Sequence, residues 1–174
     1  MAGAYRAMGL ALAAGMVAIA PASAQQPPPA SEPELEFVLE EIVTLGPAVE
    51  VGATARGHRR IIPITGGRFE GPGLRGEVMP GGWDWQLDRA DGCTEIIADY
   101  FLKTDDAAVI NVRNTGTICR PAEGEAPQSV RTHPVFEPPL GKYEWLGEGA
   151  FVGTLGMAPA SEGPAVLIRF YRVK

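Results

Sequence analysis

Glycine and proline occur throughout this chain at a density that excludes long helices. The 174 residues include 22 glycines and 16 prolines, and both residue types interrupt regular elements and favour turns. Between them lie short runs in which apolar and polar residues alternate, at residues 35–40, 83–88 and 166–171. Alternation with a period of two is typical of strands that bury one face. In the first run, this alternation places Leu35, Phe37 and Leu39 on one face.

The number and spacing of these runs indicate the fold class. About eight to ten short strands, separated by turns, predict an antiparallel barrel or sandwich. The pair Gly66-Gly67 lies inside one run and predicts a bulge or a sharp bend, the device by which a sheet closes. We therefore predict an all-β fold: a single small antiparallel β-barrel of the calycin or lipocalin type at residues 34–174, with few or no helices.

The first 33 residues have the composition of export and linker segments. Arg6 precedes an apolar run at residues 8–20, and a small-residue A-x-A site ends at Ala24. This layout predicts a signal peptide over residues 1–24, cleaved after Ala24, and hence a periplasmic or secreted protein. A retained membrane anchor is the alternative, but the run is short for one. Residues 25–33 contain three consecutive prolines and predict an extended linker.

Charge and hydropathy exclude some partners. The formal net charge is −6, which gives no electrostatic reason to bind nucleic acid or an anionic membrane. No later stretch approaches the roughly 18 apolar residues of a spanning helix, so we expect no membrane association after signal cleavage. A small-molecule ligand is the expected partner, and a homodimer remains open because Trp83 could lie on a dimer face.

One hairpin can be aligned from the sequence alone. If residues 93–103 and 109–119 pair around a three-residue loop, Asp99 faces Arg113 and Cys93 faces Cys119. A register that joins opposite charges and the only two thiols is self-consistent, and in an oxidising compartment it predicts a Cys93–Cys119 disulfide. Two reduced thiols remain the alternative. The face of this hairpin predicted to point inward carries Ala98, Tyr100, Leu102, Ile110, Val112 and Asn114.

Four motifs resemble a known bacterial family. They are I-P-I-x-G-G-x-F-x-G-P at residues 62–72, P-G-G-x-D-W-Q at 80–86, R-T-x-P-x-F at 131–136 and Y-x-W-L at 143–146. With their surroundings, these motifs resemble domain of unknown function 3237, also called UPF-0311, over nearly the whole segment from about Leu35 to Val173. The resemblance implies a small closed or nearly closed β-barrel and implies no particular reaction.

The chain departs from this family's pattern in three places. Trp83 stands where members usually carry a small residue, and Gly147 stands where they carry asparagine. The segment at residues 120–130 is shorter than the family's usual insert. If that insert shapes the mouth of the barrel, the resemblance implies a more open pocket here.

Asp84 and Tyr100 are the candidate catalytic residues. Asp84 lies between Trp83 and Trp85, so it points into the barrel if both indoles point outward. A carboxylate there, beside an arginine and the Tyr100 hydroxyl, would form an acid–base site. Candidate partners for the carboxylate are Arg59, Arg60, Arg75 and Arg131. A structural ion pair between neighbouring strands is the alternative.

Further polar and aromatic side chains are candidates for ligand binding. They combine arginines suited to anions, a second carboxylate after the glycine pair, an amide and aromatic rings. The predicted ligand-binding residues are Arg59, Glu70, Arg75, Trp85, Asn114, Arg131, Tyr143 and Trp145. Ion pairing and core packing would explain the same residues equally well.

No motif in the chain indicates a cofactor or a metal. The sequence has no G-x-S-x-G, G-x-G-x-x-G, P-loop or H-E-x-x-H motif, and two cysteines without nearby histidines lack a zinc ligand set. The leading hypothesis is an exported barrel that binds a small aromatic or anionic molecule. The alternatives are an isomerase, lyase or hydrolase using the same pocket, and a structural barrel without a ligand.

Overall fold

The fold is described by a computed structural model, which covers residues 32–121, 123–124 and 129–174. The predicted signal peptide, and the predicted linker up to residue 31, lie outside the described residues. The ten strands are β1 (Leu35–Leu45), β2 (Val49–Thr54), β3 (Gly57–Gly71), β4 (Leu74–Val78), β5 (Gly82–Asp88), β6 (Cys93–Thr104), β7 (Val109–Cys119), β8 (Val130–Glu137), β9 (Phe151–Met157) and β10 (Ala165–Val173). Short 3-10 turns lie at Glu144–Gly147 and Ala160–Glu162.

The strands close into an antiparallel barrel, as predicted. β1 pairs with β10, and the order continues through β9, β8, β7 and β6. The long strand β3 completes the circle: its first half pairs with β2 and β5, and its second half pairs with β1 and β4. β1 and β2 both lie along one side of β3, and β4 and β5 both lie along its other side. Each of these two pairs counts as one strand of the barrel, so the ten strands form a closed eight-strand barrel. In the described part of the chain, no helix has the length and apolar character to span a bilayer.

The β6–β7 hairpin has the predicted register. Cys93 is opposite Cys119 and Asp99 is opposite Arg113. The two cysteines form a disulfide with a Cα–Cα distance of 4.0 Å, so the predicted bridge is present. The hairpin turn closes with a hydrogen bond from the Thr104 amide to the Ala108 carbonyl. All six residues predicted to point inward are buried or half-buried.

The glycine pair bends β3, also as predicted. Gly66 and Gly67 have φ values of 143° and 138°, in the region that side chains disfavour. The pairing of β1 with β3 shifts by one residue beside them. A side chain on Gly67 would place its Cβ 2.0 Å from the Ile42 carbonyl oxygen. The bulge therefore requires glycine and lets β1 approach closely enough to close the barrel.

The predicted common face of Leu35, Phe37 and Leu39 in β1 is wrong, because the alternation breaks between Phe37 and Leu39. Leu35 and Phe37 are 60% and 39% exposed, whereas Leu39 is fully buried. The register with β10 shifts between Phe37 and Leu39, and a bulge of this kind reverses which residues point inward. The bulge buries both Val38 and Leu39, and it turns Glu41 toward the barrel interior.

An aromatic core fills one end of the barrel. Phe136 packs edge-to-face against Phe151 and Phe170, with ring centroids 5.1 and 5.4 Å apart. The turn Glu144–Gly147 covers these rings with the buried side chain of Leu146. The same end carries the β6–β7 turn, while the disulfide lies at the other end of that hairpin. One end of the barrel is thus packed solid, which leaves the disulfide end for a cavity.

Candidate functional site

A cavity of about 220 Å³ occupies the barrel interior toward the disulfide end. Four polar residues line it, namely Asp84, Gln86, Tyr100 and Asn114. The rest of the wall is aliphatic: Val43, Leu45, Ile64, Ile96, Ala98, Ile118, Leu155, Met157, Val166 and Ile168. Met157 is 80% exposed, so the cavity reaches solvent beside it. At about 30 Å³ per water molecule, the space equals roughly seven waters and suits one ring-sized molecule.

Two polar residues face the interior from β5 and β7, with a small alanine between them on β6. Asp84 on β5 lies opposite Ala98 on β6, which in turn lies opposite Asn114 on β7. Adjacent strands are about 4.8 Å apart, so the two polar side chains start roughly 10 Å from each other. The small Ala98 side chain between them leaves room for a guest molecule.

Gly82 makes space for the Tyr100 side chain in the next row. A Cβ on Gly82 would lie 2.5 Å from the Tyr100 Cβ and 2.7 Å from the Asp99 carbonyl oxygen. With hydrogen at this position, the Tyr100 ring crosses the interior toward β1. The P-G-G motif at residues 80–82 therefore has a packing role in the site, besides making the turn before β5.

Glu41 and Tyr100 form a buried pair beside the cavity. Both are 1% exposed, and the Tyr100 hydroxyl donates a hydrogen bond to Glu41 Oε1. Burial raises the pKa of Glu41 to about 8, and the hydrogen bond from Tyr100 opposes the shift. Burial, with the nearby Glu41 and Asp84 carboxylates, raises the pKa of Tyr100 well above its ordinary value. Burial thus favours the neutral carboxylic acid form of Glu41.

Asp84 is held by a chain of hydrogen bonds that starts at Arg60. Arg60 Nε donates to Gln86 Oε1 at 2.8 Å, and Gln86 Nε2 donates to Asp84 Oδ2 at 2.7 Å. A second nitrogen of Arg60 donates to Asp88 at 2.8 Å. Burial raises the pKa of Asp84, while the Gln86 hydrogen bond and the Arg60 charge lower it. The chain fixes the Gln86 amide so that its NH2 group faces the carboxylate.

Several buried oxygens of the site have no hydrogen-bond partner among the described residues. They are Glu41 Oε2, Asp84 Oδ1 and Asn114 Oδ1, and Thr132 Oγ1 on β8 is a further example. A buried polar atom left unpaired costs about 1–3 kcal/mol. Asp84 and Asn114 line the cavity, so their unpaired oxygens indicate a place where a ligand or waters complete the hydrogen bonding.

The structure brings together three of the residues predicted for the site. Asp84, Tyr100 and Asn114 all line the cavity. Asp84 points inward for the reason anticipated, because Trp83 and Trp85 alternate with it and are 37% and 44% exposed on the outside. Their roles in catalysis or binding stay predictions.

The predicted arginines and Glu70 do not reach this cavity. Arg59 lies opposite Leu87 on β5. Leu87 is two residues after Trp85, so Arg59 is on the same outward-facing side of the sheet as Trp85. Arg75 is exposed and pairs with Asp105 at 2.7 Å, and Glu70 and Arg75 line an open surface groove of about 870 Å³. These side chains occupy the outer surface because strand parity, not charge, decides which face a residue takes.

The remaining predicted ligand-binding residues also lie outside the cavity. Arg131 is exposed on β8. Tyr143 is buried at the packed end, where its hydroxyl donates to Asp106 at 2.9 Å. Trp145 packs beside Phe151 at the same end, with ring centroids 6.5 Å apart. Trp85 contributes to the outer surface, and Tyr100 is the one aromatic side chain among the residues that line the cavity.

Sequence reasoning missed Glu41 and Gln86. Gln86 shares the inward parity of Asp84 on β5, which was enough to find it. Glu41 shares parity with the fully buried residues Leu39 and Val43. A charged residue on the apolar side of a strand was the available signal. The alternating run predicted from the sequence ended at residue 40, so Glu41 was not assigned to a face.

The comparisons with known proteins agree with this description. A family model described as protein of unknown function (DUF3237) matches residues 33–173. A UPF0311 protein of Rhodopseudomonas palustris is 37% identical over 132 residues, which are 70% of this chain and 86% of that protein. A crystal structure from Acinetobacter baumannii, described as a beta-barrel like protein, has a TM-score of 0.74 and 34% identity, covering 87% of this chain and 100% of that one. The resemblance found in the motifs is thereby confirmed.

One further relative carries the name of an enzyme. The hydroalkoxylation enzyme phnH of Penicillium herquei is 30% identical over 122 residues, which are 70% of this chain and 74% of that protein.

Within the described residues, no group of His, Cys, Asp and Glu side chains is arranged to hold a metal ion.

Proposed function

Because this chain belongs to the DUF3237 family of β-barrel proteins, we propose that its interior cavity is the active site of an enzyme that transfers protons to and from a small organic molecule. The observation that carries the proposal is the buried hydrogen bond between Tyr100 and Glu41 beside a cavity that Tyr100 and Asp84 both line. The relative named a hydroalkoxylation enzyme supports it, since addition of an alcohol across a double bond moves one proton from oxygen to carbon.

The two carboxyl groups have environments suited to opposite roles. Glu41 has a pKa of about 8 because it is buried and paired only with Tyr100, so it holds a proton at neutral pH. Burial also raises the pKa of Asp84, but the hydrogen bond from Gln86 and the Arg60 charge oppose that shift and favour its carboxylate. Neighbouring groups whose environments separate their pKa values are the usual arrangement of a catalytic acid and base. Asp84 is the proposed base, and Tyr100 with Glu41 is the proposed acid.

A balanced proton transfer follows from these roles. Asp84 Oδ1, which is unpaired, accepts the proton of a substrate hydroxyl as its oxygen bonds to one carbon of a double bond. Tyr100 gives its hydroxyl proton to the other carbon, and Glu41 replaces that proton on Tyr100. The cycle ends with Asp84 protonated and Glu41 ionised. Proton exchange through water then restores both groups.

The experiment uses ring-sized compounds that contain a hydroxyl group and an alkene, beginning with 2-allylphenol in D2O. The expected product is 2-methyl-2,3-dihydrobenzofuran with one deuterium in its methyl group, detected by mass spectrometry and NMR. Asp84→Asn and Tyr100→Phe should lower turnover by about 10²-fold or more, the usual contribution of an acid or base.

The matched control is Asp99→Asn, which removes an exposed carboxylate of β6 that accepts a hydrogen bond from Asn111. This variant should retain full turnover. Equal rates in the wild type and in both site variants would contradict the assigned roles. Binding of these compounds without turnover of any would instead support the simpler function, a barrel that binds a small molecule.

We also propose that the protein acts outside the cytoplasm. The N-terminal segment has the layout of a signal peptide, and a disulfide joins Cys93 to Cys119, as is common in exported proteins. The test is the intact mass of protein recovered from a periplasmic or culture fraction. A mature chain beginning at Gln25 is expected, and full-length protein confined to the cytoplasm would contradict the proposal.

A further inference from the structure

The structure assigns a ligand class to the cavity: we infer that it recognises a neutral molecule through a hydroxyl group that donates to Asp84 Oδ1, and that it rejects anions. The inference rests on the proposed function, because it concerns the substrate of the same site. It differs from the sequence-based expectation of an anionic ligand, which depended on arginines that lie elsewhere.

The charges around the cavity oppose a negative ligand. Asp84 is the only ionisable residue besides Tyr100 among the residues that line it, and no lysine, arginine or histidine does so. The cation linked to the site is Arg60, which donates to Gln86 and Asp88. A carboxylate guest would therefore enter an aliphatic space beside Asp84 without a free cation to pair with, at a high desolvation cost.

Two oxygens on residues that line the cavity are free hydrogen-bond acceptors. Gln86 Nε2 donates to Asp84 Oδ2, and the Tyr100 hydroxyl pairs with Glu41. Asp84 Oδ1 and Asn114 Oδ1 have no partner among the described residues, and they flank the small Ala98 side chain. A guest that places an O–H between them satisfies a buried oxygen, which a guest without a donor leaves unpaired.

The aliphatic walls favour a neutral donor over a charged one. Ten of the residues that line the cavity have aliphatic or methionine side chains, and they offer an ammonium group nothing in exchange for its water shell. A hydroxyl group loses much less hydration and makes the same contact with Asp84. The volume of about 220 Å³ limits the guest to about one substituted ring.

The test measures the affinity of four para-substituted probes of one shape: 4-methylphenol, 4-methylanisole, 4-methylbenzoate and 4-methylbenzylamine. Isothermal titration or ligand-observed NMR at pH 7 gives each dissociation constant. We expect 4-methylphenol to bind at least tenfold more tightly than each of the others. Methylating its oxygen removes the donor while keeping the ring, so the phenol–anisole ratio isolates the hydroxyl contact.

Asp84→Asn tests whether this contact is made to Asp84. The phenol–anisole ratio should fall at least fivefold in this variant, while Asp99→Asn should keep the wild-type ratio. Equal binding of phenol and anisole by the wild type would overturn the inference, as would tighter binding of the benzoate or the benzylamine, or no binding of any probe. Each outcome is independent of turnover of 2-allylphenol, so the failure of the inference is distinguishable from the failure of the proposed enzyme activity.

Discussion

At the scale of single residues, Glu41 is the most unusual group in the molecule. It is 1% exposed, and its hydrogen-bond partner is the uncharged Tyr100 hydroxyl. Burial without a cation favours the neutral acid and explains a pKa of about 8. The folded barrel thus binds a proton that the unfolded chain releases at its ordinary pKa of 4.5. Stability and protonation of the site are therefore linked.

Glu41→Gln should remove a pH-dependent loss of stability. Between pH 4.5 and 8, the folded state holds a proton on Glu41 that the unfolded state has lost, so the free energy of unfolding falls as pH rises through this window. The slope from this one group approaches about 1.4 kcal/mol per pH unit. Urea denaturation of both proteins at pH 5, 6.5 and 8 should show the variant gaining stability relative to the wild type.

Glu40→Gln is the control for this series. Glu40 is the neighbouring residue, and it is half-exposed and paired with Arg169 at 2.6 Å. The stability difference between this variant and the wild type should stay nearly constant over the same pH range. A Glu41→Gln curve that runs parallel to the wild-type curve would show that Glu41 is ionised in the folded protein.

Arg60→Met should raise the pKa of Asp84. The substitution keeps an apolar stem but removes the donor that orients Gln86 and the positive charge near Asp84. We expect the pKa of Asp84 to rise because a hydrogen bond and a nearby positive charge that favour its carboxylate are lost, and carbon-detected NMR titration of the carboxyl group measures the change. Arg59→Met, on the outer face opposite Leu87, should leave the pKa of Asp84 unchanged. An equal shift in both variants would mean that overall charge, not the Arg60–Gln86 chain, controls Asp84.

At the scale of elements, strand register could be predicted from the sequence for a local hairpin but not for a strand with a bulge. The β6–β7 register followed from the sequence because Asp99–Arg113 and Cys93–Cys119 can only face each other in one alignment. In β1, the shift after Phe37 leaves Leu35 and Phe37 exposed although Leu39 is buried, so the predicted common face of these three residues is broken. A local hairpin specifies its own register, whereas a bulge depends on pairing with β10, far away in the sequence.

Of the arginines predicted as partners of Asp84, Arg60 acts on that carboxyl group through its charge, whereas two others lie elsewhere. Charge identified which residues suit an anion, but Arg59 and Arg75 lie on the outer surface of the barrel. Asp84 was placed correctly because the indoles on either side of it define the strand face. Side-chain chemistry therefore predicted function well only where alternation fixed the orientation.

Gly67→Ala should break the β1–β3 junction. The new Cβ would lie 2.0 Å from the Ile42 carbonyl oxygen at a φ of 138°, and strain of this kind costs about 1–3 kcal/mol before the clash is added. Urea denaturation should show a loss of at least about 2 kcal/mol. Gly156→Ala in β9, where no atom lies within 4 Å of the new Cβ, should change stability by less than about 1 kcal/mol. Similar losses in both variants would argue against a structural role for the bulge.

At the scale of the whole molecule, the barrel has a packed core at one end and a cavity toward the other. One end is packed with Phe136, Phe151 and Phe170, which contact one another and the covering turn. The other end surrounds the cavity with its few polar groups. Removing atoms from the packed end creates a void that the fold cannot fill, whereas adding atoms at the hollow end occupies space that the fold already leaves open.

Ala98→Val and Leu102→Ala should therefore have opposite effects. Both residues lie on β6 and point inward, but Ala98 lines the cavity and Leu102 is fully buried in the core. Leu102→Ala should cost about 2–5 kcal/mol of stability, while the folded protein keeps its affinity for 4-methylphenol. Ala98→Val should change stability by less than about 1.5 kcal/mol and weaken that binding at least tenfold. Urea denaturation measures the stability of the two variants, and titration measures their affinity for 4-methylphenol. Equal loss of stability with equal affinity would mean that the two ends of the barrel do not differ in this way.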